Sequence, residues 1–142
     1  MAIVIWDGSL ATGIKLIDLQ HKRLFEIINQ LHDKMHDAAD EMSLLTTFDS
    51  MSQYARIHFQ SEESLLEKYK YHDIDIQKAE HNEFYGEIES LKEEFHKNGI
   101  SNLFSESLTY LLNWVVRHVE THDLKFAEFI RLKIAEDEST QG

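Results

Sequence analysis

The apolar positions of this chain fall into four series whose steps alternate between three and four residues. The first runs Leu24, Ile28, Leu31, Met35 and, one step earlier, meets His21. With Asp18 as N-cap it predicts a helix over about residues 18–37. The second runs Leu44, Phe48, Met51, Ala55, His58, Glu62, Leu65, Tyr69 and predicts a helix over about 42–69. A loop at Lys70–Asp73 leads to the third series, Ile74, Gln77, His81, Phe84, Ile88, Leu91, Phe95, a helix over about 74–97 closed by Gly99. Ser101 caps the fourth, which carries Phe104, Leu108, Leu111, Val115 and His118. Steps of three and four form the seam of helices packed at small angles in a left-handed bundle. The fold class predicted is all-α, an antiparallel up-down-up-down four-helix bundle. An irregular globin-like packing, the alternative, tolerates less regular stripes.

The ends of the chain read differently. Residues 1–17 hold Gly8 and Gly13 and show no helical period, so they are expected as an extended arm anchored by Trp6, Leu10 and Ile14. Residues 137–142 are polar and expected to fray. The whole, residues 1–142, is expected to be one domain with its helical bundle over 18–136.

Composition supports long helices: no Pro, five Gly and no Cys in 142 residues. The missing Cys excludes disulfides, thiolate metal sites and Cys nucleophiles. A formal charge of −12 argues against nucleic acid and anionic membrane surfaces as partners. No stretch approaches the length of a spanning helix or a secretory leader, so a cytoplasmic protein is expected. Oligomeric state is not readable from the pattern. No Gly-rich phosphate loop or nucleophile elbow is present.

The chemistry lies in polar residues on the apolar stripes. His21, His58, Glu62, Gln77, His81 and His118 each occupy a core position, and every helix contributes. Burying them is costly unless each is paired or bound to a metal. His58 and Glu62 are four residues apart, as are Gln77 and His81, so each pair shares a helix face. Imidazole and carboxylate without thiolate favour iron among redox metals, and a carboxylate can bridge two ions. Asp123 lies five residues after His118, beyond one regular turn. The series Asp123, Phe126, Ile130, Ile134 continues the stripe if one extra residue is absorbed, which predicts a π-type bulge between His118 and Asp123. The rival series His122, Phe126, Phe129 needs no bulge and stays open.

Taken together, these residues resemble the bacterial hemerythrins, oxygen-binding non-haem di-iron bundles. The resemblance rests on Trp6-Asp7, Gly13-Ile14 and Ile17-Asp18-Leu19-Gln20-His21-Lys22-Arg23-Leu24-Phe25; on His58-Phe59-Gln60-Ser61-Glu62-Glu63; on Ala79-Glu80-His81-Asn82-Glu83-Phe84; and on Trp114-Val115-Val116-Arg117-His118 with Asp123. Four ordered motifs over roughly residues 6–130 make it specific. It implies two iron ions (Fe2+/Fe3+) with an oxo or hydroxo bridge, further bridged by Glu62 and Asp123. His21 and His58 would serve the iron that keeps an open position for dioxygen. His81, His118 and a third His from the third helix would serve the other. Phe25, Trp114 and Val115 are expected as pocket wall and core.

This sequence departs from the family's HxxxH pattern: the third imidazole is replaced by Gln77. An amide oxygen is a weaker ligand than imidazole for such ions. Three roles stay open for Gln77: direct ligation, holding a ligating water, or leaving a position free. The function implied is reversible dioxygen binding for storage, delivery or sensing, without catalysis. A di-iron enzyme acting on peroxide or nitric oxide and a redox-silent metal-holding bundle are the alternatives. His32 and His36 are expected on the surface at the bundle end, His96 and His122 facing solvent, and His72 in its loop away from the metals. Glu63, turned away from the Glu62 face, is expected either behind a ligand or as a surface charge.

Overall fold

The computed structural model describes residues 5–36 and 41–141. After a 3-10 turn at Gly8–Leu10 come α1 (Lys15–His36), α2 (Glu41–Lys68), α3 (Ile74–Asn98) and α4 (Asn102–His118). A π-helical turn, Val119–Asp123, joins α4 without a break to α5 (Leu124–Gln141), so α4, the turn and α5 form the fourth rod of the bundle. α1 packs on α2, α2 on α3, α3 on α4, and α4 returns to α1. The expected bundle is therefore present, and so is the π bulge, located between the two residues that predicted it.

The helix ends follow local chemistry. Ser101 accepts from the Phe104 N–H at 3.0 Å and caps α4. At the end of α3, Gly99 takes φ +64°, and its N–H bonds Phe95 O at 2.8 Å. α2 ends with Lys70 in the left-handed region at φ +55°, while the Tyr71 N–H reaches back to Leu66 O at 2.9 Å. That six-to-one bond is a Schellman closure, which usually employs glycine at this position.

Asp18 is not the N-cap of α1, which begins three residues earlier at Lys15. From inside the first turn its carboxylate reaches back to the arm, accepting from Thr12 N–H and Thr12 Oγ1–H, both at 2.8 Å, and from Gly13 N–H at 3.3 Å. A negative charge is favourable at this helix end, and the donors of the arm supply its partners. Gly13, at φ +80°, lets the arm turn into α1, and the Arg131 side chain crosses so closely that a Cβ there would lie 2.7 Å from Arg131 Cδ. Leu10 and Ile14 are buried as anchors, and Trp6 is half-buried against the core with Lys22 Nζ 4.3 Å above its ring.

The core has two apolar layers. The larger includes Leu24, Ile28 and Leu31 of α1, Phe48 and Met51 of α2, Phe84 and Ile88 of α3, and Leu108 and Val115 of α4. The smaller joins Ile14, Ile17, Leu66, Tyr71, Phe126, Ala127 and Ile130. On α1 and α3 the polar stripe residues fall in sequence between these layers, while on α2 and the fourth rod Phe59 and Val119 of the larger layer are interleaved with them. Leu66, rather than the expected Leu65 and Tyr69, is the fully buried residue near the end of α2; those two are half-buried. α5 remains helical to Gln141, past the point where fraying is expected. No helix among the described residues is long and apolar enough to cross a membrane.

Candidate metal centre

His21 of α1, His58 and Glu62 of α2, Gln77 and His81 of α3, His118 of α4 and Asp123 of the π turn are all buried. The imidazole Nε2 atoms converge on the two carboxylates. His58 Nε2 lies 2.7 Å from Glu62 Oε1, and His81 Nε2 lies 3.2 Å from Glu62 Oε2. His21 Nε2 lies 2.9 Å from Asp123 Oδ2 and 3.4 Å from Glu62 Oε1, and His118 Nε2 lies 3.2 Å from Asp123 Oδ1. Ligand atoms of His21, His58, Glu62 and Asp123 lie within 4.8 Å of one another, as do those of Glu62, His81 and His118. Glu62 belongs to both groups and so can join two ions.

Three of the imidazoles are oriented from behind. The Nδ1–H of His58 donates to Gln20 Oε1 at 2.8 Å, and Gln20 Nε2–H donates to Ser61 Oγ at 3.1 Å. The Nδ1–H of His81 donates to Glu63 Oε2 at 2.9 Å. The Nδ1–H of His118 donates to Glu80 Oε2 at 2.8 Å. A proton on Nδ1 leaves a lone pair on Nε2 of a neutral ring. Those Nε2 lone pairs face carboxylate oxygens. The Nε2 atoms of His58, His81 and His118, with Glu62 Oε2 and Asp123 Oδ1, have no hydrogen-bond partner. Electron-pair donors facing one another in a dry core demand positive charge between them.

The titration behaviour states the same demand. Burial opposes charge on His21, but hydrogen bonds to Asp123 and Glu62 and their negative charges outweigh it and raise the imidazole to about 9. His118 is raised to about 9 against the same penalty, chiefly by Asp123. His58 is raised too, with Glu62 overcoming its burial. Burial and the like charge of Asp123 push Glu62 up, yet His58 and His21 prevail and hold it at about 2. Asp123 is held well below its ordinary value, with His118 overcoming its burial. Protons on the imidazoles and cations bound to them answer the same negative field.

Gln77 is 2% exposed, one turn before His81, and its Oε1 has no hydrogen-bond partner. An unpartnered buried acceptor on the stripe of a ligating residue fits the role of an oxygen donor. The residues present therefore fit two metal ions: a mixed imidazole and carboxylate set, dry, with its lone pairs convergent. Phe25 and Val115 are buried in the adjacent core. Phe59 lies flat on His81, ring centres 4.0 Å apart and 11° from parallel. Trp114 lies flat on His118, at 5.0 Å and 8°. Trp114 also lines a cavity of about 230 Å³ with Glu80, Arg117, His118, Thr121 and His122.

Sequence reasoning missed Gln20 and Glu80 behind the ligands and left Glu63 open between that role and the surface. Gln20 precedes His21 by one position and holds His58; Glu63 follows Glu62 and holds His81; Glu80 precedes His81 and holds His118. Adjacent helical residues point about 100° apart, so a neighbour of an inward residue reaches the next helix. That offset is the signal that finds them. Of the two roles expected for Glu63, the structure has it behind a ligand and not free on the surface. His122 is not solvent-facing either: it is 35% exposed, and its Nε2 lies 2.8 Å from Glu80 Oε1. His72 pairs with Asp73 at 3.4 Å, outside the cluster, and His96 is exposed. His32 is half-buried near the end of α1 and not on the surface as expected, since its ring is 20% exposed, and the side chain of His36 lies outside the described residues.

A four-helix bundle closed around buried histidines and two carboxylates is a metal-binding bundle. The sequence pattern of the Hemerythrin HHE cation binding domain matches residues 12–130, and the chain belongs to the hemerythrin family. It is 29% identical over 124 residues to a bacteriohemerythrin of Methylococcus capsulatus, covering 87% of this chain and 93% of that one. It is 28% identical over 136 residues to a bacteriohemerythrin of Pseudomonas aeruginosa, covering 96% and 87%. The myohemerythrin of Sipunculus nudus is 26% identical over 122 residues, covering 86% and 89%. The crystal structure of a wild-type hemerythrin superposes with a TM-score of 0.80 at 26% identity, over 89% of this chain and 97% of that one. Hemerythrins bind oxygen at a di-iron centre.

Proposed function

We propose that this chain binds dioxygen reversibly at a pair of irons held by seven side chains. His21 and His58 serve one ion, and His81, His118 and Gln77 the other, with Glu62 and Asp123 between them. The observation that carries the reading is the set of buried, unpartnered Nε2 and carboxylate atoms facing one another at 3.2 Å, His81 on Glu62 and His118 on Asp123, with the unpartnered His58 Nε2 2.7 Å from Glu62 Oε1. When bound, the irons supply the electrons and the coordination position that dioxygen requires.

The chain's own contribution is position and dryness. Gln20, Glu63 and Glu80 fix three imidazoles with Nε2 inward. Phe25, Phe59 and Val115 wall the centre with hydrocarbon, and water is thereby kept from the bound gas. Gln77 places a weaker donor where the family has imidazole, which favours faster oxidation of the centre by air. Anaerobic loading with ferrous iron, a count of irons per chain, and oxygen addition followed in the near-ultraviolet and visible test the reading. Two irons and an absorption that comes and goes with oxygen support it. Direct, irreversible passage to a ferric spectrum refutes reversible binding and points to turnover of small oxidants. A chain that retains zinc while its iron form ignores oxygen is a metal-holding bundle.

A further inference from the structure

The donor atoms divide unequally in kind between the two metal positions. His21 and His58 form one group with Glu62 and Asp123, two imidazoles and two carboxylates. Glu62 also joins His81 and His118, and Asp123 Oδ1 lies 3.2 Å from His118 Nε2. This second position therefore has two imidazole nitrogens and two carboxylate oxygens, Glu62 Oε2 and Asp123 Oδ1, neither with a hydrogen-bond partner. Its further donor on α3 is Gln77, one turn before His81 and 2% exposed, whose Oε1 is a buried acceptor without a partner. An unpaired buried acceptor is costly, and a cation on it offsets that cost. With Gln77 the set is two nitrogens and three oxygens; with an imidazole at 77 it would be three nitrogens and two oxygens. Imidazole suits iron and the later ions, whereas carboxylate and carbonyl oxygens suit manganese(II). Exchanging one nitrogen for one oxygen thus costs the later ions more than it costs manganese(II).

We propose that Gln77 sets the metal selectivity of the second position, ligating through Oε1 and relaxing the discrimination against manganese(II) there alone. The inference rests on the two-metal reading above. Supplied with iron only, both positions take iron. Supplied with both metals, the position at Gln77, His81 and His118 is the one that exchanges for manganese(II), while the position at His21 and His58 keeps iron. No other imidazole restores the missing nitrogen. His72, five residues before Gln77, is 68% exposed and pairs with Asp73 at 3.4 Å. His122 is tied to Glu80 at 2.8 Å. Nor do the two imidazoles in place have room to swing aside for another donor. Phe59 lies flat on His81 with ring centres 4.0 Å apart, and Trp114 lies flat on His118 at 5.0 Å. In a close-packed core such rings stay where they are. The donor set at this position is therefore the one that the side chain at 77 decides.

Cobalt(II) and manganese(II), titrated without air into the stripped full chain, test this without any oxygen chemistry. Cobalt(II) is followed by its visible ligand-field bands. Manganese(II) is followed by the paramagnetic resonance of the free ion, which fades on binding. The cobalt-shifted ring protons of His58, against those of His81 and His118, tell the positions apart. Changing a ligating atom should act no less than losing the partner behind a ligand, about 10–100-fold. Gln77→His is expected to tighten cobalt(II) at the second position by that factor and manganese(II) by less. The cobalt-to-manganese preference there should rise about tenfold or more, with the first position unchanged. Gln77→Met keeps the length, removes the oxygen, and is expected to weaken manganese(II) at the second position by about 10–100-fold. Manganese(II) affinity unchanged in Gln77→Met overturns the inference, because the amide is then no donor. An equal gain for both metals in Gln77→His overturns it too, since selectivity has not moved. So does an equal loss at both positions, which thermal unfolding of the stripped variant traces to the bundle. A wild type that takes a single cobalt(II) ion or none overturns the two-metal reading and this inference with it, whereas the other three results leave that reading standing.

Discussion

Stripping the protein with a chelator and varying pH exposes how strongly the centre demands positive charge. His21 and His118 are each raised from 6.5 to about 9. A raised folded-state value means that the native chain binds more protons than the unfolded chain above pH 6.5. Stability from these groups is full below pH 6.5 and is lost as pH rises through about 9. A shift of 2.5 units is worth about 3 kcal/mol for each group. Because both share Asp123 and Glu62, about 6 kcal/mol is the ceiling for the pair and about 3 kcal/mol the floor. On the acid side Glu62, lowered from 4.5 to about 2, loses its contribution as pH falls through that window. The acid and alkaline limbs report one set of interactions, so they are not summed. Urea unfolding of the stripped protein should therefore show a plateau near pH 4.5–6.5 and a fall of at least about 3 kcal/mol by pH 9.5. Zinc-loaded protein should lack that alkaline fall, since the cation replaces the protons, and its loading should release protons and tighten with pH. A stripped protein equally stable at pH 6.5 and 9.5 refutes the reasoning, as does a loaded protein that falls in parallel.

Two further outcomes concern the scaffold. Lys70→Gly should stabilise the chain by about 0.5–1 kcal/mol in thermal or urea unfolding, because a lysine occupies a left-handed closure that glycine adopts without strain. Asp18→Ala removes the acceptor of two arm N–H groups and the Thr12 hydroxyl. It should cost about 1–2 kcal/mol and raise amide hydrogen exchange at Thr12 and Gly13 well before that of the α2 core.

The bundle and its site were legible because one periodicity carries both. A His or Glu on a stripe of Leu and Phe must face inward, and His21, His58, Glu62, His81 and His118 do. The break in that period predicted the π turn, because Phe126, Ile130 and Asp123 stay in line only if one residue is absorbed. Asp18 was misplaced because a carboxylate in the first turn and one at the N-cap answer the same unpaired donors, and the pattern cannot say which. Leu65 and Leu66 were exchanged because adjacent leucines at the end of a stripe fit either register. The contacts of Glu80 with His118 and His122 were not foreseen, although both residues were noted, Glu80 within a motif and His122 at the head of a rival stripe. Their value comes from contacts between helices, which stripe periodicity does not encode.

Phe59 has a consequence in time as well as in space. Its ring is buried, with the rings of His58, His81, Phe84, Tyr85 and His118 all centred within 6.0 Å. Turning it over sweeps volume that a close-packed interior does not offer. Each half-turn therefore waits for the surrounding side chains and helices to part for a moment. The flip rate of one phenylalanine, read from the merging of its two edge resonances on warming, is thus a clock for how often the bundle breathes.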